Sequence, residues 1–224
     1  MRSILGVKFL ILILTACSNV PEMETAEIRT FYAIREALIN YDASKTFIDA
    51  RNLIDRKKVD KFSIPILFVE LETGQNGTLT PYPGFGIGQT WLGADGATVT
   101  LENGFLISSR GMGNDIMGTN FEAPKWHKIT DETVYKKNVS YLSGNNQLEI
   151  VDLDCKIKKI SGEQILNIWE VDFTVIRYDE TCLNGAQIIK NTYFVENFEV
   201  IRKSIQYHSG DLGYLKIVRL DRNH

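Results

Sequence analysis

The chain has 224 residues, 44% of them hydrophobic, with a formal charge of −3, which gives length and apolar content for a real core. No block of lysine and arginine offers a footprint for nucleic acid or for an anionic membrane surface. Three cysteines and three histidines are scattered along the chain, at spacings that fit neither a zinc knuckle nor a CxxC redox motif.

The first residues decide the compartment. Arg2 and Lys8 give a positive start, residues 9–14 read FLILIL, and Thr15 and Ala16 are small, the layout of an export signal. A membrane span needs about 20 apolar residues. The run over 9–16 would cover only about 12 Å as a helix, so it is a signal and not an anchor. Leu14-Thr15-Ala16-Cys17 fits the lipobox pattern, in which cleavage falls before Cys17 and the thiol carries a diacylglycerol. Several buried acyl chains, at about 0.8 kcal/mol per methylene, make such an anchor effectively permanent. Ser18 in place of Asp after the cysteine favours sorting to the outer membrane. The expected organisation is a signal over 1–16, a lipidated tether over 17–23 and a single domain over 24–224. Loss of Arg2 and Lys8 takes the charge from −3 to −5.

Next in the chain, Ile28, Phe31, Tyr32, Leu38 and Ile39 recur at near-helical spacing, predicting an amphipathic helix over 25–41. A shorter helical stripe holds Phe47, Ala50, Leu53 and Ile54, with Thr46 and Asp49 at capping-box spacing, and a polar run over 55–61 ends it. From Ile64 the period becomes strand-like, starting with a strand over 64–70, and the remainder reads as an antiparallel meander. Asn103-Gly104 between two apolar runs predicts a hairpin over 97–108 with a type I′ turn. Residues 118–124 read as an ordered surface loop. Later turns are expected at Gly144-Asn145-Asn146, Ser161-Gly162, Leu183-Asn184-Gly185, Asn197 and residues 210–213. Trp169, Val171, Phe173 and Val175 alternate with polar residues as a strand with one buried face. The fold class is therefore mainly β: a curved sheet, open barrel or sandwich, with N-terminal helices packed on it.

With Cys17 given to lipid, Cys155 and Cys182 remain as a pair in an oxidising compartment, where a disulfide is expected. The glycines at 84, 86 and 88 lack the lysine and the βαβ context of a phosphate loop, and Gly111-Met112-Gly113 is no dinucleotide fingerprint. No serine or cysteine sits in a nucleophile-elbow motif, and His127, His208 and His224 are far apart. Asp95, Glu102, Asp115, Asp152 and Asp154 are acids for which sequence gives no pairing distance. The expectation is no catalytic residue, no metal and no cofactor. Trp91, Trp126 and Trp169 offer flat faces for sugar rings; Trp169 reads as core and Trp126 as the exposed candidate.

Three stretches carry a resemblance: Trp91-Leu92-Gly93-Ala94-Asp95, Leu101-Glu102-Asn103-Gly104-Phe105-Leu106, and Gly111-Met112. They are similar in order and spacing to the YjbF/GfcB family of capsule and exopolysaccharide lipoproteins, as are Asn191-Thr192-Tyr193-Phe194-Val195 and Val200-Ile201-Arg202-Lys203-Ser204-Ile205-Gln206. Phe194 and Met112 stand where that family usually has Trp and Leu. The resemblance implies an antiparallel β fold and an outer-membrane lipoprotein acting with polysaccharide secretion machinery, without established enzymatic activity. The expected partners are the membrane through Cys17 and a polysaccharide or an export protein. Three roles remain open: a binding accessory, a carrier of lipid or lipid-linked glycan in a β cavity, and a glycan-processing enzyme. The candidate binding surface comprises Trp91, Trp126, Tyr193, Lys203 and Gln206, with Lys203 expected to share a strand face with Ile201, Ile205 and Tyr207 and there to snorkel, pair or line a groove.

Overall fold

The computed structural model describes residues 49–83, 86–142, 147–185 and 187–222. The export signal, Cys17, the helix expected over 25–41 and the turn at residues 144–146 lie outside them.

Thr46 and Phe47 of the second helical stripe lie outside the described residues, and over the described part the stripe divides into two short helical turns. Asp49 caps a 3-10 turn over Ala50–Asn52, accepting from the Arg51 N–H, and Asp55 then caps α1 (Arg56–Val59) by accepting from the Lys57 N–H. The polar run thus begins a helix instead of ending one, because its leading aspartate satisfies an orphan N–H of the first turn.

Twelve strands follow: β1 (Leu67–Leu71), β2 (Asn76–Tyr82), β3 (Gln89–Gly93), β4 (Thr98–Glu102), β5 (Phe105–Arg110), β6 (Ile116–Asn120), β7 (Glu132–Leu142), β8 (Leu148–Ile168), β9 (Val171–Asn184), β10 (Gln187–Glu196), β11 (Val200–Ser209) and β12 (Gly213–Arg219). They form one sheet in the order β5-β4-β3-β2-β1-β12-β11-β10-β9-β8-β7-β6, with antiparallel pairing throughout. Neighbours in sequence are neighbours in the sheet except β5 and β6, which form its two edges, and β1 also pairs with β12 from Leu67↔Arg219 to Leu71↔Leu215. The meander therefore curls into a nearly closed barrel whose seam lies between the edge strands β5 and β6.

Strand β1 starts at Leu67, after Pro65, and is buried on both faces. Leu67, Val69 and Leu71 join a core with Leu79, Trp91, Val99, Leu153 and Leu215. Phe68, on the opposite face, packs with Ala50, Val59, Phe173 and Val218. The short helical segment thus exists to cover Phe68.

The Asn103-Gly104 hairpin forms as expected, with φ of 49° and 84°, both in the left-handed region that a type I′ turn requires. Ser161-Gly162 is not a turn: β8 runs through it, and the register slips between Lys159 and Glu163 as a bulge. The reversal between β8 and β9 falls instead at Trp169-Glu170, both at positive φ. Trp169 is therefore no strand residue; its ring meets Phe68 edge-on at 5.2 Å, a packing gain that offsets an unfavourable backbone region for a bulky side chain. The surface loop expected over 118–124 is in part strand β6, since Gly118, Thr119 and Asn120 pair with Ser140, Val139 and Asn138.

Candidate functional site

Strand β11 carries the most informative pattern. Ile201, Lys203, Ile205 and Tyr207 do share a face, but it is the half-exposed one; the buried face is Val200, Arg202, Ser204, Gln206 and His208. Burying so many polar groups is costly unless each finds a partner, and each does.

At the lower end Arg202 donates to Glu196 and to the backbone oxygens of Asp221 and Arg222, and stacks over Phe173 at 4.1 Å. In mid-strand Gln206 acts as a surrogate peptide. Its Oε1 accepts the Leu106 N–H at 2.8 Å and its Nε2 donates to Gly104 O at 2.8 Å, so one side-chain amide pairs the edge of β5 in place of a strand. Beside it Trp126 stacks on Phe105 with centroids 4.9 Å apart and donates from Nε1 to Asn103 O at 2.9 Å. The Asn103-Gly104 hairpin is thereby pinned to the barrel interior, so closely that a Cβ on Gly104 would meet the Ile201 side chain at 2.3 Å.

Next to this lies Glu180, fully buried on β9. It accepts from Tyr135, from Lys137 Nζ at 3.0 Å, from Asn191 Nδ2 at 2.5 Å and from Tyr193 at 2.9 Å. Burial alone would push its carboxyl up; the Lys137 charge and the hydrogen bonds from Asn191, Tyr135 and Lys137 reverse this and hold it below the ordinary range. Burial, reinforced by the Glu180 charge, pushes the hydroxyls of Tyr135 and Tyr193 well up, so both stay protonated donors. Cys155 and Cys182, directly opposite on β8 and β9, are joined as a disulfide beside this carboxylate. Their sulfurs and a Glu180 oxygen lie within 4.8 Å of one another, but sulfurs bonded to each other and a carboxylate with this many donors form no ligand set for a metal.

At the upper end the fold assembles a Ser, a His and an Asp that sequence spacing did not bring together. Ser109 Oγ donates to Asp115 Oδ1 at 2.9 Å, accepts the Ile116 N–H at 3.0 Å and lies 2.8 Å from His208 Nε2. His208 Nδ1 faces Ser209 Oγ at 3.2 Å. The serine proton is committed to Asp115, so Nε2 carries the hydrogen it shares with Ser109 and Nδ1 accepts from Ser209. This is the reverse of a hydrolase triad, in which the carboxylate holds the imidazole and the imidazole takes the serine proton; Ser109 and His208 are also fully buried. Together with Arg110, which donates to Ile116 O and Met117 O, the cluster is a latch across the β5–β6 seam.

Burial depresses the His208 pKa, with Asp115 opposing. A histidine with a lowered folded pKa binds fewer protons folded than unfolded, so its contribution is complete above the unfolded value of about 6.5 and is lost as pH falls below it. Thermal melting between pH 7.5 and 5.5 should therefore show wild type losing more stability than a His208→Gln variant; parallel losses would remove His208 as the cause.

Below the latch the edge strands diverge, leaving a cleft of about 370 Å³ between β5 and β6. Thr90, Thr100, Glu102 and Ser108 line it with the apolar Ile87 and Ile107, and residues 117–121 stand opposite. Thr90 and Thr100 touch at 3.0 Å through their hydroxyls.

The expected binding surface is not gathered at a surface. Trp126, Tyr193 and Gln206 are buried because their rings and amide serve the interior contacts just described, and Trp91 is buried in the core with Leu79 and Val99; among the described residues Trp91 Nε1 has no partner. Lys203, half-exposed, rests its ammonium 5.4 Å over the Phe194 ring, and burial followed by the nearby Lys216 lowers its pKa. The carboxylates disperse: Asp95 caps a turn at Ala97, Asp115 serves the latch, Asp152 accepts from Asn138, and Asp154 pairs with Lys136. Glu102 alone of these lines the cleft. That cleft left no signal in sequence, since its hydroxyls come from separate strands and read as ordinary solvent-face residues.

The chain belongs to the YjbF family, described as "Group 4 capsule polysaccharide lipoprotein gfcB, YjbF", whose model matches residues 34–220. Among solved structures the hypothetical lipoprotein YmcC from Escherichia coli (K12) is similar, with a TM-score of 0.70 over 86% of this chain and 95% of that one at 16% identity, a likeness of fold. No curated protein sequence matches.

Proposed function

We propose that this protein is a non-enzymatic accessory of capsule or exopolysaccharide assembly or export, held by lipid on Cys17 at the periplasmic face of the outer membrane. The observation that carries the reading is the family match over residues 34–220, taken with the use to which the resembling residues are put. Trp126, Asn103, Gly104, Tyr193 and Gln206 are spent on one another inside the barrel, so they build a scaffold and leave binding to its surface. Tyr135, Lys137 and Tyr193 bond to the fully buried Glu180 carboxylate, a polar interior that favours a binding accessory over a carrier that encloses a lipid.

Deleting the gene should remove most surface polysaccharide while the precursor pathway continues. Cys17→Ala should abolish incorporation of labelled fatty acid, release the protein from the membrane and reproduce the deletion. Continued labelling of the variant would sink the anchor. Normal surface polysaccharide in the deletion would sink the role.

A further inference from the structure

We propose that the cleft between β5 and β6 is a binding groove for a neutral, hydroxyl-rich segment of a polysaccharide chain; this deepens the reading given above and rests on it.

The register carries the argument. Thr90 pairs with Thr100, and Thr100 with Ser108, so three hydroxyls stand in line across three adjacent strands. The Thr90 and Thr100 hydroxyls are hydrogen-bonded to each other at 3.0 Å, so the row is a compact cluster of hydroxyls on one wall. A sugar hydroxyl resting against the cluster would meet both a donor and an acceptor. On the facing wall Asn120 is exposed and offers both. The volume of about 370 Å³ falls within the range of roughly 300–1,000 Å³ typical of small-molecule sites.

Charge narrows the ligand. Among the described residues that line the cleft, Glu102 carries the only charge. A carboxylate there accepts from sugar hydroxyls or amide N–H groups and repels uronic acids.

A strand from a partner protein is the other occupant a seam between sheet edges suggests. Strand addition needs a row of open backbone groups, and here side chains already hold several. Gln206 takes the Leu106 N–H and Gly104 O, Ser109 takes the Ile116 N–H, and Arg110 takes Ile116 O and Met117 O. These edge groups are held, and the lining mixes the hydroxyls of Thr90, Thr100 and Ser108 with the apolar Ile87, Ile107 and Met117, a match for the polar rim and apolar ring face of a sugar, which favours a glycan.

Two variants and a control test the groove. Gly118 lines the cleft, and a Cβ there meets nothing within 4 Å, so Gly118→Leu fills space without forcing the backbone. Thr100→Val with Ser108→Ala keeps the shape and removes hydroxyls. Gly77→Leu, on β2, also has open space and lies outside the cleft lining. The full lipoprotein in detergent micelles would be titrated calorimetrically with neutral and with acidic oligosaccharide fragments of the producing strain's own surface polysaccharide, separated by anion exchange. Wild type and Gly77→Leu should bind the neutral fragments alike and the acidic ones more weakly. Each cleft variant should bind the neutral fragments at least about tenfold more weakly, the loss of roughly one site's hydrogen bonds or of its volume, with an unchanged melting temperature.

Undiminished binding by Gly118→Leu, or no binding of either fragment by wild type, would overturn the groove while the accessory role stands or falls on the deletion phenotype. Equal binding of acidic fragments would overturn its selectivity. Loss of surface polysaccharide in Gly118→Leu with glycan binding intact would replace the glycan by a partner protein's strand.

Discussion

Lys137→Met should destabilise the domain by about 3–5 kcal/mol, the cost of removing one partner from a buried ion pair and stranding the other charge. Glu180 is fully buried, and its remaining donors, Tyr135, Asn191 and Tyr193, are neutral. Urea denaturation would read the loss directly, and its pH dependence would identify the cause. In wild type the Glu180 carboxyl is held below its ordinary value, so its stabilisation is present above the ordinary carboxylate range and is lost as pH falls through the lowered value. Without the ammonium, burial dominates and the folded carboxyl titrates above the unfolded one, so the variant should lose stability as pH rises through the acid range. Replacing both partners, Lys137→Met with Glu180→Leu, should recover part of the loss. A single variant with unchanged midpoint and unchanged pH slope would show that the ion pair contributes nothing.

The second large effect concerns Cys155 and Cys182, joined across 27 residues of sequence. In the chain-entropy model a loop of that size is worth about 3–4 kcal/mol. Cys155→Ala with Cys182→Ala should lower the denaturation midpoint accordingly, and reductant should do the same to wild type while leaving the variant unmoved. The two cysteines are direct cross-strand partners beneath the Glu180 cluster, so the loss should be accompanied by faster amide exchange in β8 and β9. A wild-type midpoint indifferent to reductant would mean that the sulfurs are unlinked or that the hairpin needs no staple.

Elements whose signal is local were readable from sequence. The Asn103-Gly104 hairpin, the alternation of Val171, Phe173 and Val175, and the antiparallel meander all rest on contacts between near neighbours. Oxidation of the pair Cys155 and Cys182 followed from compartment and count. Trp169 misled because an aromatic beside a β-branched run looks like strand, and nothing local revealed that Phe68, a hundred residues away, would hold it in a turn. Ser161-Gly162 looked like a turn because a glycine at positive φ serves a bulge equally well. The site was the least readable part. Aromatic and amide residues expected at a surface were drawn inward because Asn103 O, Leu106 N and Glu180 needed partners that only the closed barrel brings near. The Ser109–Asp115–His208 latch joins residues from a strand, a loop and a distant strand, which no motif spacing encodes.

The seam has a mechanical consequence. Everywhere else around the barrel, widening the ring means breaking a ladder of backbone hydrogen bonds, which open cooperatively and rarely. Between β5 and β6 the ring is fastened by the side chains of Ser109, Arg110, Asp115 and His208, and a rotamer change there is far cheaper than unzipping a strand. The barrel is thus a split collar: ladders of backbone hydrogen bonds join its strands around the ring, and at one line only the connecting residues 111–115 and a clasp of side chains close it.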